Sequence, residues 1–166
     1  MNDRVPAPGG LALIQDLVNT LDIETGADAL DTEKGREALG LTQEEAEPAR
    51  ELRESLRVAC LAHGGHAPHR SVTPLHRLLA EAPLLVTVDA TDGSASLAPA
   101  DPHALVSRVA AAIAQAHADG TWPRLKACEA PDCHWVYYDR SPAGRGRWCS
   151  MAVCGARAKM RRYRAK

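Results

Sequence analysis

The sequence predicts an α+β chain, with a mostly helical N-terminal domain carrying one β-hairpin and a small cysteine-rich module after it. Three observations predict this. Apolar residues recur at helical spacing along much of residues 1–120. A β-branched run, Leu84-Leu85-Val86-Thr87-Val88, is followed closely by the turn pair Asp92-Gly93. Four of the five cysteines fall in the last forty residues, in two close pairs.

Leu13, Ile14, Leu17, Val18 and Leu21 share one face of a first helix. The charged stretch 25–40 contains Gly26, Gly35 and Gly40 and reads as a loop with a short helix. Thr42-Gln43-Glu44-Glu45 matches a capping box, and the main helix starts there or near Pro48. Leu52, Leu56 and Cys60 form its apolar face, so Cys60 is expected to be buried and inert. Gly64-Gly65 ends that helix. Thr73-Pro74 reads as a cap and first-turn proline for a short helix through Leu75, Leu78 and Leu79. The strand 84–88 then turns at Asp92-Gly93 into a second strand through Ser96 and Leu97. Asp101-Pro102 is expected to cap a helix whose face is Leu105, Val106, Val109, Ala112, Ile113 and Ala116, ended by Gly120.

Hydrophobic residues make up 45% of the chain, enough for a packed core. Phenylalanine is absent, so that core must rest on Leu, Val, Ile and Ala. No apolar run approaches the roughly 18 residues that cross a bilayer. The opening Met1-Asn2-Asp3-Arg4-Val5-Pro6 lacks the features of a secretory leader, and a cytoplasmic location is expected. Charge is unevenly spread. Residues 121–166 carry eleven Lys and Arg against three acids, a net +8, and residues 1–120 a net −9. Such asymmetry marks a basic end suited to nucleic acid, and it also allows the acidic part to dock on the basic part.

Cys128-x4-Cys133 and Cys149-x4-Cys154 are separated by fifteen residues. Two tight loops joined by such a spacer can close four thiolates around one tetrahedral ion, and four sulfurs leave no open position. One structural zinc ion per chain is therefore expected on Cys128, Cys133, Cys149 and Cys154. Two disulfides would need an oxidising compartment. Trp135-Val136-Tyr137-Tyr138 has strand character, Ser141-Pro142-Ala143-Gly144 is turn chemistry, and Trp148 resumes an extended segment. A knuckle, a hairpin and a second knuckle merging into a helix, with Ser150 at its N-cap, is the order of a treble-clef-like finger. The boundary is placed at 120–124: residues 1–120 as a helical regulatory or assembly domain, residues 124–166 as the four-cysteine zinc finger with its basic helix.

His134 adjoins Cys133, but neighbouring residues on a strand point apart. His63, His66, His69 and His76 lie in or near a Gly/Pro loop without common spacing and read as solvated. Asp16 and Asp22 read as the polar side of the first helix. No phosphate loop, nucleophile elbow or paired-carboxylate arrangement occurs, so no enzyme is expected.

The run Cys128-Glu129-Ala130-Pro131-Asp132-Cys133-His134-Trp135-Val136-Tyr137-Tyr138-Asp139 resembles the bacterial CGNR zinc-finger family. So does the run from Arg147-Trp148-Cys149-Ser150-Met151 to Arg164. Leu17-Val18-Asn19-Thr20-Leu21-Asp22 is similar to the opening motif of the domain that accompanies this finger, a stress-induced transcription regulator. The family's Cys-Gly-Asn-Arg is here Cys154-Gly155-Ala156-Arg157, and its Ser-Arg-Asn type turn is Ser141-Pro142-Ala143-Gly144. The resemblance implies a DNA-binding transcription regulator, nucleoid-associated when bound.

Charge supports the same expectation independently. Arg157, Lys159, Arg161, Arg162 and Arg164 fall on a helix of about 14 residues, roughly 21 Å long, enough to cross a DNA groove. Arg145 and Arg147 flank the preceding turn and are candidate phosphate contacts, and Arg157 is the candidate base contact. Double-stranded DNA is the expected partner, and the N-terminal domain is a candidate receiver of a small-molecule effector or protein partner. The alternatives are a zinc-stabilised protein-interaction module and an RNA-binding protein that stacks bases on Trp135, Tyr137 and Tyr138.

Overall fold

A computed structural model describes residues 5–165 of the chain. Residues 1–4, on which the reading of the opening segment partly rests, lie outside this range.

Helix α1 (Leu11–Val18) buries Ile14, Leu17 and Val18 of the predicted face and also Leu11, whereas Leu13 is only partly buried and Leu21 lies beyond the helix. A single turn at Ala29–Asp31 and the short α2 (Glu33–Glu37) fill the charged stretch, each capped by a side chain, Asp28 and Thr32. The main helix α3 (Ala46–His63) begins two residues before Pro48. Its capping box is half formed: Glu45 accepts from the Thr42 backbone N–H at 2.8 Å, but the Thr42 hydroxyl also turns to Glu45.

The short α4 (Leu75–Leu79) has Pro74 as its N-cap residue. Thr73 does not cap it, because its hydroxyl donates to Glu51 across the groove. Strands β1 (Leu84–Val88) and β2 (Ala95–Pro99) pair antiparallel, with Leu84 opposite Pro99 and Val88 opposite Ala95. Helix α5 runs from Leu105 to Ala118, starting later than Asp101-Pro102 suggests. Asp101 instead accepts the N–H groups of His103 and Ala104, a turn that delays the helix. At its other end Gly120, with φ +67°, lets Thr121 N–H reach back to Ala116 at 2.8 Å.

Helices α1, α3 and α5 enclose the core, in which Ile14, Leu17, Leu56, Cys60 and Val109 are fully buried. With no phenylalanine to fill space, the helices approach closely. A Cβ on Gly10 would lie 2.8 Å from the Ala112 side chain, so only glycine lets α1 sit this near α5. A second antiparallel pair, β3 (Leu125–Ala127) with β4 (Val136–Tyr138), closes this core. Leu125, Ala127 and Val136 are no more than 1% exposed and belong to the same cluster as the helices.

The ladder differs from the expected one. Val136–Tyr138 pairs with the strand preceding the first knuckle, whereas 141–148 is turn and irregular chain. The reason is polar. Asp139, buried beside Lys126 at 2.8 Å, also accepts from the N–H groups of Ser141 and Gly146, which folds the segment back on itself. The last element is a wide-turned helix from Met151 to Gly155 that continues as α6 (Ala156–Arg164).

Candidate metal centre and basic helix

The first knuckle is the loop between β3 and β4. Cys128 extends the ladder by donating its N–H to Trp135 O at 2.9 Å, and Ala130 O accepts from Cys133 at 3.0 Å and His134 at 3.2 Å. His134 makes the exit turn with φ +45°, and its Nδ1 lies 3.0 Å from Cys128 O. The ring thus ties the two ends of the loop together and is no part of the sulfur cluster, although His134 sits in a left-handed turn and not on the strand that the expectation assumed.

Polar side chains from the helices hold this loop. Asn19 accepts from Val136 N–H and donates to Val136 O, both at 2.8 Å, filling the ladder position of a missing strand. Arg57, 0% exposed, donates to Val18 O at 2.8 Å, to His134 O at 2.9 Å and to Glu54 at 3.3 Å. Glu54 also binds Arg53 at 2.9 Å and His69 at 2.9 Å. Burial pushes the Glu54 carboxyl up, but Arg57 and Arg53 outweigh it and hold the group ionised. Sequence reasoning missed these residues. The available signal was polar Gln15 and Asn19, one turn apart, among the apolar residues of α1.

The second knuckle comes from the wide turn. Gly155 N–H donates to Ser150 O at 3.1 Å, five residues back, and this opening spans the four-residue gap between Cys149 and Cys154. Ser150 occupies the N-cap position, but its side chain makes no capping bond. A Cβ on Gly155 would lie 3.1 Å from the Met151 sulfur and 3.2 Å from the Trp148 ring, so the turn is closely packed there.

The four sulfurs lie within 4.8 Å of one another, with Cys133 to Cys149 and Cys149 to Cys154 both at 3.6 Å. Tetrahedral zinc with Zn–S near 2.3 Å places its sulfurs about 3.8 Å apart. The donor set fits the ion. The thiols are coupled: Cys133 is drawn down by its bonds to Cys128 and Cys149, while Cys128 is pushed up by its bond to Cys133. Cys149 and Cys154 are pushed up as well. Four sulfurs this close share protons unless a dication replaces them. Among the described residues no other His, Cys, Asp or Glu group is placed to hold a metal. Two of the loop histidines are not solvated, contrary to expectation: His63 bonds Leu125 O at 2.8 Å, and His69 is the Glu54 partner.

The predicted basic residues divide by environment. Arg147 grips both Glu129 oxygens at 2.5 Å and lies over the Trp148 ring, so it braces one knuckle against the other. Arg157 contacts both Glu24 oxygens at 3.0 and 3.1 Å, an exposed pair across to the helical part. Arg145, Lys159, Arg161, Arg162 and Arg164 are exposed and make no ion pair among the described residues. Tyr137 is buried and Tyr138 packs on the core, which removes them as a stacking platform.

Residues 124–166 match the family model of the CGNR zinc finger. No curated protein matches the chain. Within this matched segment Cys128, Cys133, Cys149 and Cys154 lie close enough together to bind one structural zinc ion. No helix among the described residues is long and apolar enough to cross a membrane.

Proposed function

We propose that the chain is a DNA-binding transcription regulator whose finger presents α6 to duplex DNA and whose helical part is a regulatory or assembly domain. One observation carries the reading: α6 buries no residue, holds five cations between Arg157 and Arg164, and contains no acid. A helix packed for stability alone would bury a face. Zinc fixes the start of α6, so the finger aims the helix and takes no part in chemistry. A regulatory role, with its link to stress, follows from the resemblance of the N-terminal part, and the reading is non-catalytic throughout.

The test is duplex binding by zinc-loaded protein as salt is varied. Four to six phosphate contacts give a slope of log affinity on log salt of roughly −4 to −5. Replacing Arg161 and Arg162 with Ala should flatten it by about one unit for each lost contact, with equal losses on every sequence. Absence of duplex binding at low salt, with Glu24→Gln included to free Arg157, would end this reading in favour of a protein-interaction module.

A further inference from the structure

The outward face of α6 is apolar, which cationic phosphate binding does not require. Cys154, buried in the sulfur cluster, marks the side of the helix that faces the body. At 3.6 residues per turn along α6, the side opposite Cys154 carries Ala156, Met160 and Tyr163, with Ala152 of the wide turn before them. All four are exposed, Met160 by 51% and Tyr163 by 78%, although both have large apolar surface. Cations border this strip on both sides. Arg157 and Arg164 share one flank, and Lys159 and Arg162 share the other, while Arg161, seven residues after Cys154, falls on the side of that cysteine.

Two rows of positive charge about a helix diameter apart, with an apolar line between them, complement two phosphate strands with a groove between. The major groove is about 12 Å wide and admits a helix of 10–12 Å diameter. Within it the apolar feature that a base edge offers is the thymine 5-methyl group, which Ala and similar side chains contact. A lipid surface is the other host for a basic amphipathic helix, but such helices carry bulky Trp, Phe or Leu on the inserted face. This strip has none, and its two alanines allow the backbone to come close to base edges.

We propose that α6 lies in the major groove with Ala152, Ala156, Met160 and Tyr163 against the bases, reading thymine methyl groups, while the flanking cations grip both strands. This rests on the DNA reading above and assigns Arg157 to a phosphate row, not to a guanine.

The experiment uses the full zinc-loaded chain. Duplexes selected from a random pool are resynthesised with deoxyuridine in place of thymidine, which keeps base pairing and removes only the methyl groups. Each methyl buried against the strip should contribute about fourfold to affinity. A site with two contacted thymines should therefore weaken at least tenfold, with its salt slope unchanged. Met160→Ala should shrink the thymidine-to-deoxyuridine ratio, whereas Arg164→Ala should lower both affinities equally and leave the ratio intact. Equal binding of the two duplexes with a steep salt slope would overturn the methyl readout while leaving DNA binding standing. Binding to anionic vesicles with no duplex binding at low salt would overturn both.

Discussion

The two knuckles supply the same sulfur cluster but are supported in opposite ways. The first is inserted into the helical core: β3 and β4 contribute Leu125, Ala127 and Val136 to it, and Asn19 and Arg57 bond its backbone. The second has only Cys154 and Gly155 buried, and the helix that follows buries nothing. One half of the finger is an anchor, therefore, and the other half is carried on it by the sulfur cluster, the Arg147–Glu129 clamp and the exposed Arg157–Glu24 pair. The difference teaches that a rigid body can carry an exposed helix through a contact as small as the cluster of Cys128, Ala130, Cys154 and Trp148.

Removing zinc should produce the largest effect and should split the two halves. Binding of a structural zinc ion contributes about 10–16 kcal/mol at neutral pH. Chelation, or Cys154→Ser, should abolish amide-exchange protection across residues 149–164, while the amides of 125–127 and 136–138 stay protected. Equal loss in both halves would break the comparison. Metal analysis of the reduced protein should give one zinc per chain.

Arg57→Ala attacks the anchor instead. It removes one of the two buried arginines that pair with Glu54 and takes the donor from the Val18 and His134 carbonyls, at a cost of about 3–5 kcal/mol in denaturant unfolding. Zinc stoichiometry should hold at one, because no sulfur is touched. Asn19→Ala should cost less, about 1–3 kcal/mol, by leaving the Val136 N–H without a partner and its C=O with Gln15 alone, at 3.4 Å. Proton exchange at Val136 should accelerate in that variant ahead of its strand neighbours. The smallest effect belongs to Cys60. Burial pushes its thiol up to about 12, so it should resist alkylation in the native protein at neutral pH. Cys60→Ala should cost on the order of 1 kcal/mol and leave zinc content unchanged. Metal loss there would mean that the ligand set is wrong.

The parts of this architecture governed by local rules are legible in the sequence. Helix faces follow from 3–4 spacing, as in Ile14, Leu17 and Val18, and the β1–β2 hairpin follows from its β-branched run and Asp92-Gly93 turn. Paired cysteines name the metal site outright. What the sequence hides is long-range and polar. Nothing near Asn19 signals a backbone 117 residues away, and Arg57 reads as a surface residue because charge ordinarily lies outside. The partner of β4 is hidden for the same reason: turn chemistry at 141–144 suggests a hairpin, but the buried Lys126–Asp139 pair commits that segment to another path. Pairwise contacts between distant residues leave no periodic trace.

The Asn19–Val136 contact also sets an order of events when the chain is made. Helix α1 leaves the ribosome early, but the backbone that its amide must satisfy is encoded 117 residues later. At about 5–20 residues per second, Asn19 waits roughly 6–23 s for its partner. Until then α1 and α3 lack the strand pair that closes them, and the buried side of Arg57 stands open. The N-terminal part of this protein reaches its finished form only once the first knuckle has been synthesised, so translation delivers the metal-binding segment as the closing piece of the core.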